Sequence, residues 1–120
     1  MVMSVDLTPP ELAVAFTRGD DVRLRFAVQE ADKTPIDVSG WAITAQIRSN
    51  ADGPIETSWG VVKDGDDPSV FRLVLTNKQT AALGARVYHS DLECVDENGY
   101  VRTRVKMTIT VSADVTRQAA

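Results

Sequence analysis

The chain contains one cysteine, one histidine and no long apolar run. A lone Cys94 cannot close an intramolecular disulfide, which excludes the small secreted modules that are stapled by bridges. The fold must therefore hold by packing alone. With only His89 and Cys94 as nitrogen and sulfur ligands, a structural zinc site lacks donors. Basic residues are in deficit, 13 Lys and Arg against 17 Asp and Glu, and the formal charge of -4 argues against a sequence-independent grip on nucleic acid. The N-terminal stretch MVMSVDLTPPELAV lacks a basic region followed by an apolar core, and nothing approaches the length that crosses a bilayer. Synthesis and folding in a cytoplasm are expected, with Met1 and Met3 both available as starts. Glycines are few, and Gly53, Gly60 and Gly65 stand alone, so no phosphate-cradling loop is present.

At 120 residues, 43% apolar and 25% charged, the chain fits one domain, residues 1–120, able to bury a real core. Period-two alternation recurs along most of it, and helical periodicity is nearly absent. VRLRFAV sets Val22, Leu24, Phe26 and Val28 on one face and Arg23 and Arg25 on the other. WAITAQIR does the same with Trp41, Ile43, Ala45 and Ile47 inward. LAVAF, ETSWGVV and VFRLVL read as further strands, the last with Phe71, Leu73 and Leu75 inward. Between them lie the turn formers EADKTP, SNADGP, KDGDDP and DENG. The one helical candidate is TNKQTAAL, residues 76–83, with Thr76 and Gln79 spaced as a capping box and Gly84 as a stop.

Register can be read for the last hairpin. A two-residue turn at Asn98-Gly99 sets Val95 opposite Arg102, Glu93 opposite Arg104, Asp91 opposite Lys106 and His89 opposite Thr108. It also sets Cys94 opposite Thr103, Leu92 opposite Val105 and Tyr88 opposite Ile109, an inner face that is mostly apolar. A slip of one residue would turn both faces over. The expectation is an all-β antiparallel β-sandwich, immunoglobulin-like or related, of seven to eight strands with one short helix. Its ordered core spans about residues 12–112, and Met1 to Glu11 and Ala113 to Ala120 are expected to be loose.

No catalytic, cofactor or metal site emerges. His89 faces outward with Asp91 on the same face, but no nucleophile is aimed at it, so it reads as a solvated or interface residue. Cys94 falls on the inner face, where a free thiol behaves as a small apolar group. The aspartates of KDGDDP fit a turn between strands better than a calcium loop, which needs a closing glutamate and flanking helices. The acids sit in turns and on outer faces, and nothing pairs two of them across a sugar cleft. Trp41 is in phase with Ile43 and Ile47 and reads as core, against the alternative of a sugar platform. Trp59, beside Gly60, reads either as core or as an exposed interface anchor.

Two stretches carry a family resemblance. DVRLRFAVQEADKTPIDVSGWAITAQIRS is similar to the opening of small β-sandwich proteins of tailed bacteriophages, and LVLTNKQTAALGARVYHSDLECVDENGYVRTRVKMTITVSADVTR resembles their second half. The resemblance, to baseplate-upper-protein-like and lower-tail-fibre-like domains, covers roughly residues 18–117 and rests on structural motifs. It implies a non-enzymatic subunit of the virion tail tip, baseplate or fibre base, assembled in the host cytoplasm and docking on other virion proteins. Self-association into a ring or fibre base is compatible with it; nucleic acid and membrane partners are not implied. A head decoration or head-tail connector subunit and a carbohydrate-binding module are the alternatives. The candidate interface comprises Arg23, Arg25, Trp59, Arg102, Arg104 and Lys106, because arginines on strand exteriors of an acidic chain suit complementary docking.

Overall fold

The computed structural model describes residues 2–4, 11–30, 32–50 and 53–113, without the side chains of 2–4, 103 and 104. The strands, in chain order, are β1 (Val2–Ser4), β2 (Glu11–Thr17), β3 (Val22–Gln29), β4 (Ala42–Arg48), β5 (Ile55–Ser58), β6 (Gly60–Lys63), β7 (Val70–Leu75), β8 (Val87–Val95) and β9 (Val101–Ser112), with helix α1 (Asn77–Ala82) between β7 and β8. They form two sheets, β1-β3-β7-β6 (sheet A) and β2-β9-β8-β4-β5 (sheet B), packed as an all-β sandwich. Of the terminal segments expected to be loose, Met1 and residues 5–10 and 114–120 lie outside the described residues. Val2–Ser4 pairs parallel with β3, and Glu11 opens β2, which runs parallel to β9 over seven residue pairs. The remaining ladders are antiparallel.

Each inner face is the apolar half of an alternating strand. Val22, Phe26 and Val28 of β3 are buried against Phe71, Leu73 and Leu75 of β7, and the Phe26 and Phe71 rings stack at 5.1 Å. Sheet B answers with Ile43, Ala45 and Ile47 of β4, Leu92 and Cys94 of β8, and Val105, Met107, Ile109 and Val111 of β9. Burial of this many branched and aromatic side chains is the main favourable term holding the sheets together.

ETSWGVV, expected as one strand, is two. β5 belongs to sheet B and β6 to sheet A, and the chain crosses between them at Trp59. Trp59 donates its backbone N–H to Ala45 O at 3.0 Å and its indole N–H to Ser90 Oγ at 3.2 Å, with the ring inside the sandwich. Gly60 makes the crossing possible, since a Cβ there would stand 2.8 Å from Val74 Cγ2.

The β8–β9 turn also differs from expectation. It is a three-residue loop, closed by Asp96 N–H on Tyr100 O at 2.9 Å and by Gly99 N–H on Asp96 O at 3.0 Å, with Gly99 at φ +85°. This shifts the pairing by one residue, so Val95 faces Val101 and not Arg102. A bulge after Cys94 then leaves Arg102 as the extra residue and restores the expected register, Cys94 with Thr103, Glu93 with Arg104 and Asp91 with Lys106. Two irregularities cancel, and the inner face stays apolar.

The capping box on α1 is present: Gln79 N–H donates to Thr76 Oγ1, and Thr76 N–H donates to Gln79 Oε1. Gln79 Nε2 reaches β5 at Thr57 Oγ1 and Ser58 O, both at 2.9 Å. The fully buried Thr80 accepts from Gly19 N–H at 3.0 Å and donates to Asp20 O at 2.8 Å. The helix thereby ties the β2–β3 turn to the β5 edge.

Trp41 is buried with Ile43 and Ile47, so Trp41→Ala should lower the unfolding free energy by about 3–5 kcal/mol, as truncation of a buried aromatic does. Urea unfolding followed by circular dichroism measures it. A loss below about 1 kcal/mol, the scale of a surface substitution, would show that the ring is not part of the core.

Candidate docking surfaces

The arginines of β3 are placed by alternation. With Phe26 and Val28 committed to the core, Arg23 and Arg25 stand on the outer face of sheet A, opposite Val74 and Arg72 of β7. Val62 of β6, opposite Arg72 and 48% exposed, completes the row. Arg72 Nη1 pairs with Asp64 Oδ2 at 3.2 Å. Arg23 and Arg25 make no hydrogen bond or ion pair among the described residues. Between Arg23, Arg72, Val62 and Val74 the face dips into a groove of about 410 Å³.

The other expected interface residues do not join them. Lys106 lies on the outer face of sheet B, in register between Asp91 and Glu11, so its charge is balanced by neighbours on both sides. Arg104 occupies the same sheet opposite Glu93, with its side chain outside those described. Arg102, displaced by the bulge, sits at the hairpin tip, 3.6 Å from Asp96 Oδ2 and with its guanidinium 6.0 Å from the centre of the Trp41 ring. Trp59 is 5% exposed and leaves the interface list altogether. The expected basic surface is thus divided between the two sides of the sandwich.

Arg72, Val62 and Val74 are the companions that the sequence reading left out. Their outward phase is visible in VFRLVL and GVVK, but only the pairing of β6 with β7 and β7 with β3 shows that they share a surface with Arg23. His89 lies where expected, outward between Thr108 and Arg48, in a shallow hollow of about 460 Å³ that also holds Gln46, Asp91 and Lys106. Arg48 is engaged there, donating to Gly53 O at 2.6 Å and to Gln46 Oε1 at 3.2 Å. Neither buried tryptophan can serve as a sugar platform, and Tyr100, 70% exposed, is the one large aromatic at the surface among the described residues.

No protein-family model and no curated protein matches the chain. Its fold does match a solved structure, the N-terminal domain of phage TP901-1 ORF48. That match has a TM-score of 0.52 at 11% identity and covers 92% of this chain and 96% of that one. Similarity extends, more weakly, to fibronectin(III)-like modules of Clostridium thermocellum CbhA, with a TM-score of 0.45, 14% identity and coverage of 91% and 96%. A Listeria monocytogenes internalin-like protein, lmo2027, matches with a TM-score of 0.45 and 12% identity over 94% of this chain and 30% of its own. The chain therefore shares its sandwich fold with a domain of a phage protein.

The acids of the β6–β7 turn are spent on the turn itself. Asp64 Oδ1 accepts from the backbone N–H of Asp66 and Asp67, at 2.8 and 3.1 Å, and these bonds hold its carboxyl below the ordinary value. The Ser69 hydroxyl and N–H do the same for Asp67, with a smaller contribution from the charge of Arg25. A carboxyl held lower in the folded than in the unfolded state stabilises the fold above its ordinary value of 3.8, and the gain is lost as pH falls through the folded value. The melting temperature should be level above about pH 5 and decline below about pH 4. Asp64→Asn should make that acid decline shallower in a thermal melt series.

Burial, with the nearby charge of Glu93, pushes the Cys94 thiol up to about 12. The thiolate is the reactive form. Native protein at pH 8 should resist a thiol-specific reagent, and labelling should appear only once urea unfolds it. Rapid stoichiometric labelling of the native protein would contradict the burial of Cys94.

Proposed function

We propose that the chain is a non-enzymatic structural subunit of a tailed-phage virion, an adaptor at the tail tip, baseplate or fibre base that docks other virion proteins through its sheet faces. The observation that carries this reading is the fold match to a phage protein domain across nearly the whole of both chains. Two features of the surface support it. Arg23 and Arg25 hold uncompensated charge on an otherwise acidic protein, and arginine is enriched at interfaces where complementary fields fix register. His89, the one histidine, lies among Arg48, Asp91 and Lys106 in an open hollow, without a nucleophile placed for it to activate. A carbohydrate-binding role loses its platforms because Trp41 and Trp59 are both inside.

Reversing both charges, Arg23→Glu with Arg25→Glu, should leave the isolated domain folded, since neither side chain contributes to the core. The double variant should be lost from particles, at least tenfold below wild type by mass spectrometry of purified virions. Incorporation at the wild-type level would overturn docking through sheet A. Immunogold labelling of particles distinguishes the sites: label at the tail tip or baseplate fits the adaptor, and label over the capsid favours the head decoration or connector.

A further inference from the structure

We propose that the chain associates with itself head to tail, the β8–β9 hairpin tip of one copy seating in the groove on the outer face of sheet A of the next. This deepens the assembly reading and names one of its partners, a second copy.

The tip is an exposed apolar pair on a fixed backbone. Tyr100 is 70% and Val101 50% exposed, adjacent in sequence at the end of the hairpin. Their backbone is held by Asp96, whose Oδ1 accepts from the N–H of Asn98 and Tyr100, both at 3.0 Å, and whose own N–H donates to Tyr100 O. An aromatic presented on a rigid turn loses little freedom on binding, which makes it an efficient anchor. The charges at the tip are unequal in engagement. Arg102 is paired with Asp96, whereas Glu97 is exposed and makes no hydrogen bond or ion pair among the described residues. The tip therefore offers apolar surface with one spare negative charge.

The groove offers the complement. Its floor includes Val62 and Val74, and Arg23 and Arg72 stand at its rim. The one acid lining it, Asp21, is occupied in accepting from Asn77 N–H at 2.8 Å. The spare charge in the groove is the positive one of Arg23. A hollow of about 410 Å³ has room for an aromatic ring and its neighbour.

The two surfaces lie at opposite ends of the sandwich. Val95, next to the tip, pairs with Ala42 at the start of β4, and Lys63 Nζ donates to Ser39 O just before that strand, which brings the far end of β6 to the tip end. Gly60, at the other end of β6, pairs with Val74, and the groove continues to Val22 and Leu75, where α1 follows. One copy cannot fill its own groove. The contact is heterologous, so each copy added leaves one tip and one groove free, and the assembly closes as a ring or continues as a filament.

Sedimentation velocity of the full chain tests this. Wild type should show a weight-average mass that rises with concentration above the 13.1 kDa of the monomer. Tyr100→Asp, which removes the tip, and Arg23→Glu with Val62→Asp, which removes the groove, should each be monomeric at every concentration. Mixed in equal amounts, the two variants should give a species of two chains and nothing larger, because one intact tip meets one intact groove. Glu97→Lys, which leaves the apolar pair in place, should weaken association at least tenfold and be restored by Arg23→Glu; it stands in if Tyr100→Asp alters the circular dichroism spectrum. Monomeric wild type, association of the groove variant with itself, or a mixture that stays monomeric would overturn the proposal. A monomeric wild type that still enters particles would leave the virion reading standing, whereas self-association of a chain absent from particles would sink that reading and keep this contact.

Discussion

The crossing at Trp59 is the constraint on which the rest of the structure depends. A strand that reads continuously in the sequence is cut there, so that β5 closes the edge of sheet B and β6 closes the edge of sheet A. The indole fills the space between the sheets, and its N–H needs a partner in a dry interior, where an unpaired donor costs about 1–3 kcal/mol. Ser90 supplies that partner, which explains a buried hydroxyl on the inner face of β8 among Tyr88, Leu92 and Cys94. Gly60 and Val74 complete the fit from the other sheet. Because β6 exists as a strand of sheet A, Val62 and Arg72 become neighbours, and the groove beside Arg23 has its second wall. The surface proposed to bind is thus a consequence of how one tryptophan is buried.

Much of the fold was legible because alternation and capping are local signals. The inward sets of β3, β4 and β7, the Thr76–Gln79 box and the apolar face of the β8–β9 hairpin follow from spacing within a few residues of each other. The hairpin also shows why a correct register can come from an incorrect turn. DENG reads as a two-residue Asn-Gly turn, the chain makes a longer loop around Gly99, and the bulge at Arg102 absorbs the difference. The demand that Leu92, Cys94, Val105 and Ile109 face inward decides the pairing, and the turn accommodates it.

What was not legible concerns which sheet each strand joins. Alternation tells which residues share a face of one strand and is silent about neighbours. VRLR and VRTRVK look like parts of one basic surface, yet β3 is in sheet A and β9 in sheet B, so their outward residues point away from each other across the thickness of the core. For the same reason Lys106 could be paired with Asp91 from the hairpin register, but its second acidic neighbour, Glu11, appears only through the parallel pairing of β2 with β9. That ladder joins opposite ends of the chain. Thr80 was equally hidden: its bonds to Gly19 and Asp20 span about sixty residues, and nothing in TNKQTAAL announces them.

The distribution of charge follows from the same topology. Most acids that crowd the turns are consumed locally: Asp32, Asp37, Asp64 and Asp67 each accept from backbone within three residues. On sheet B, cations and acids alternate in register and largely cancel. Sheet A has no acid in its outer rows to set against Arg23 and Arg25, because β7 presents Arg72 and Val74 there and β6 presents Val62. A net acidic protein thus carries one positive, partly apolar face and, at the far end, one rigid tip with an exposed tyrosine and a free glutamate. Surfaces so opposed in charge and placed at opposite ends favour contacts that repeat in one direction over contacts between like faces, since like faces would bring Arg23 and Arg25 against their own copies. Polarity of assembly is therefore built into the order of the strands.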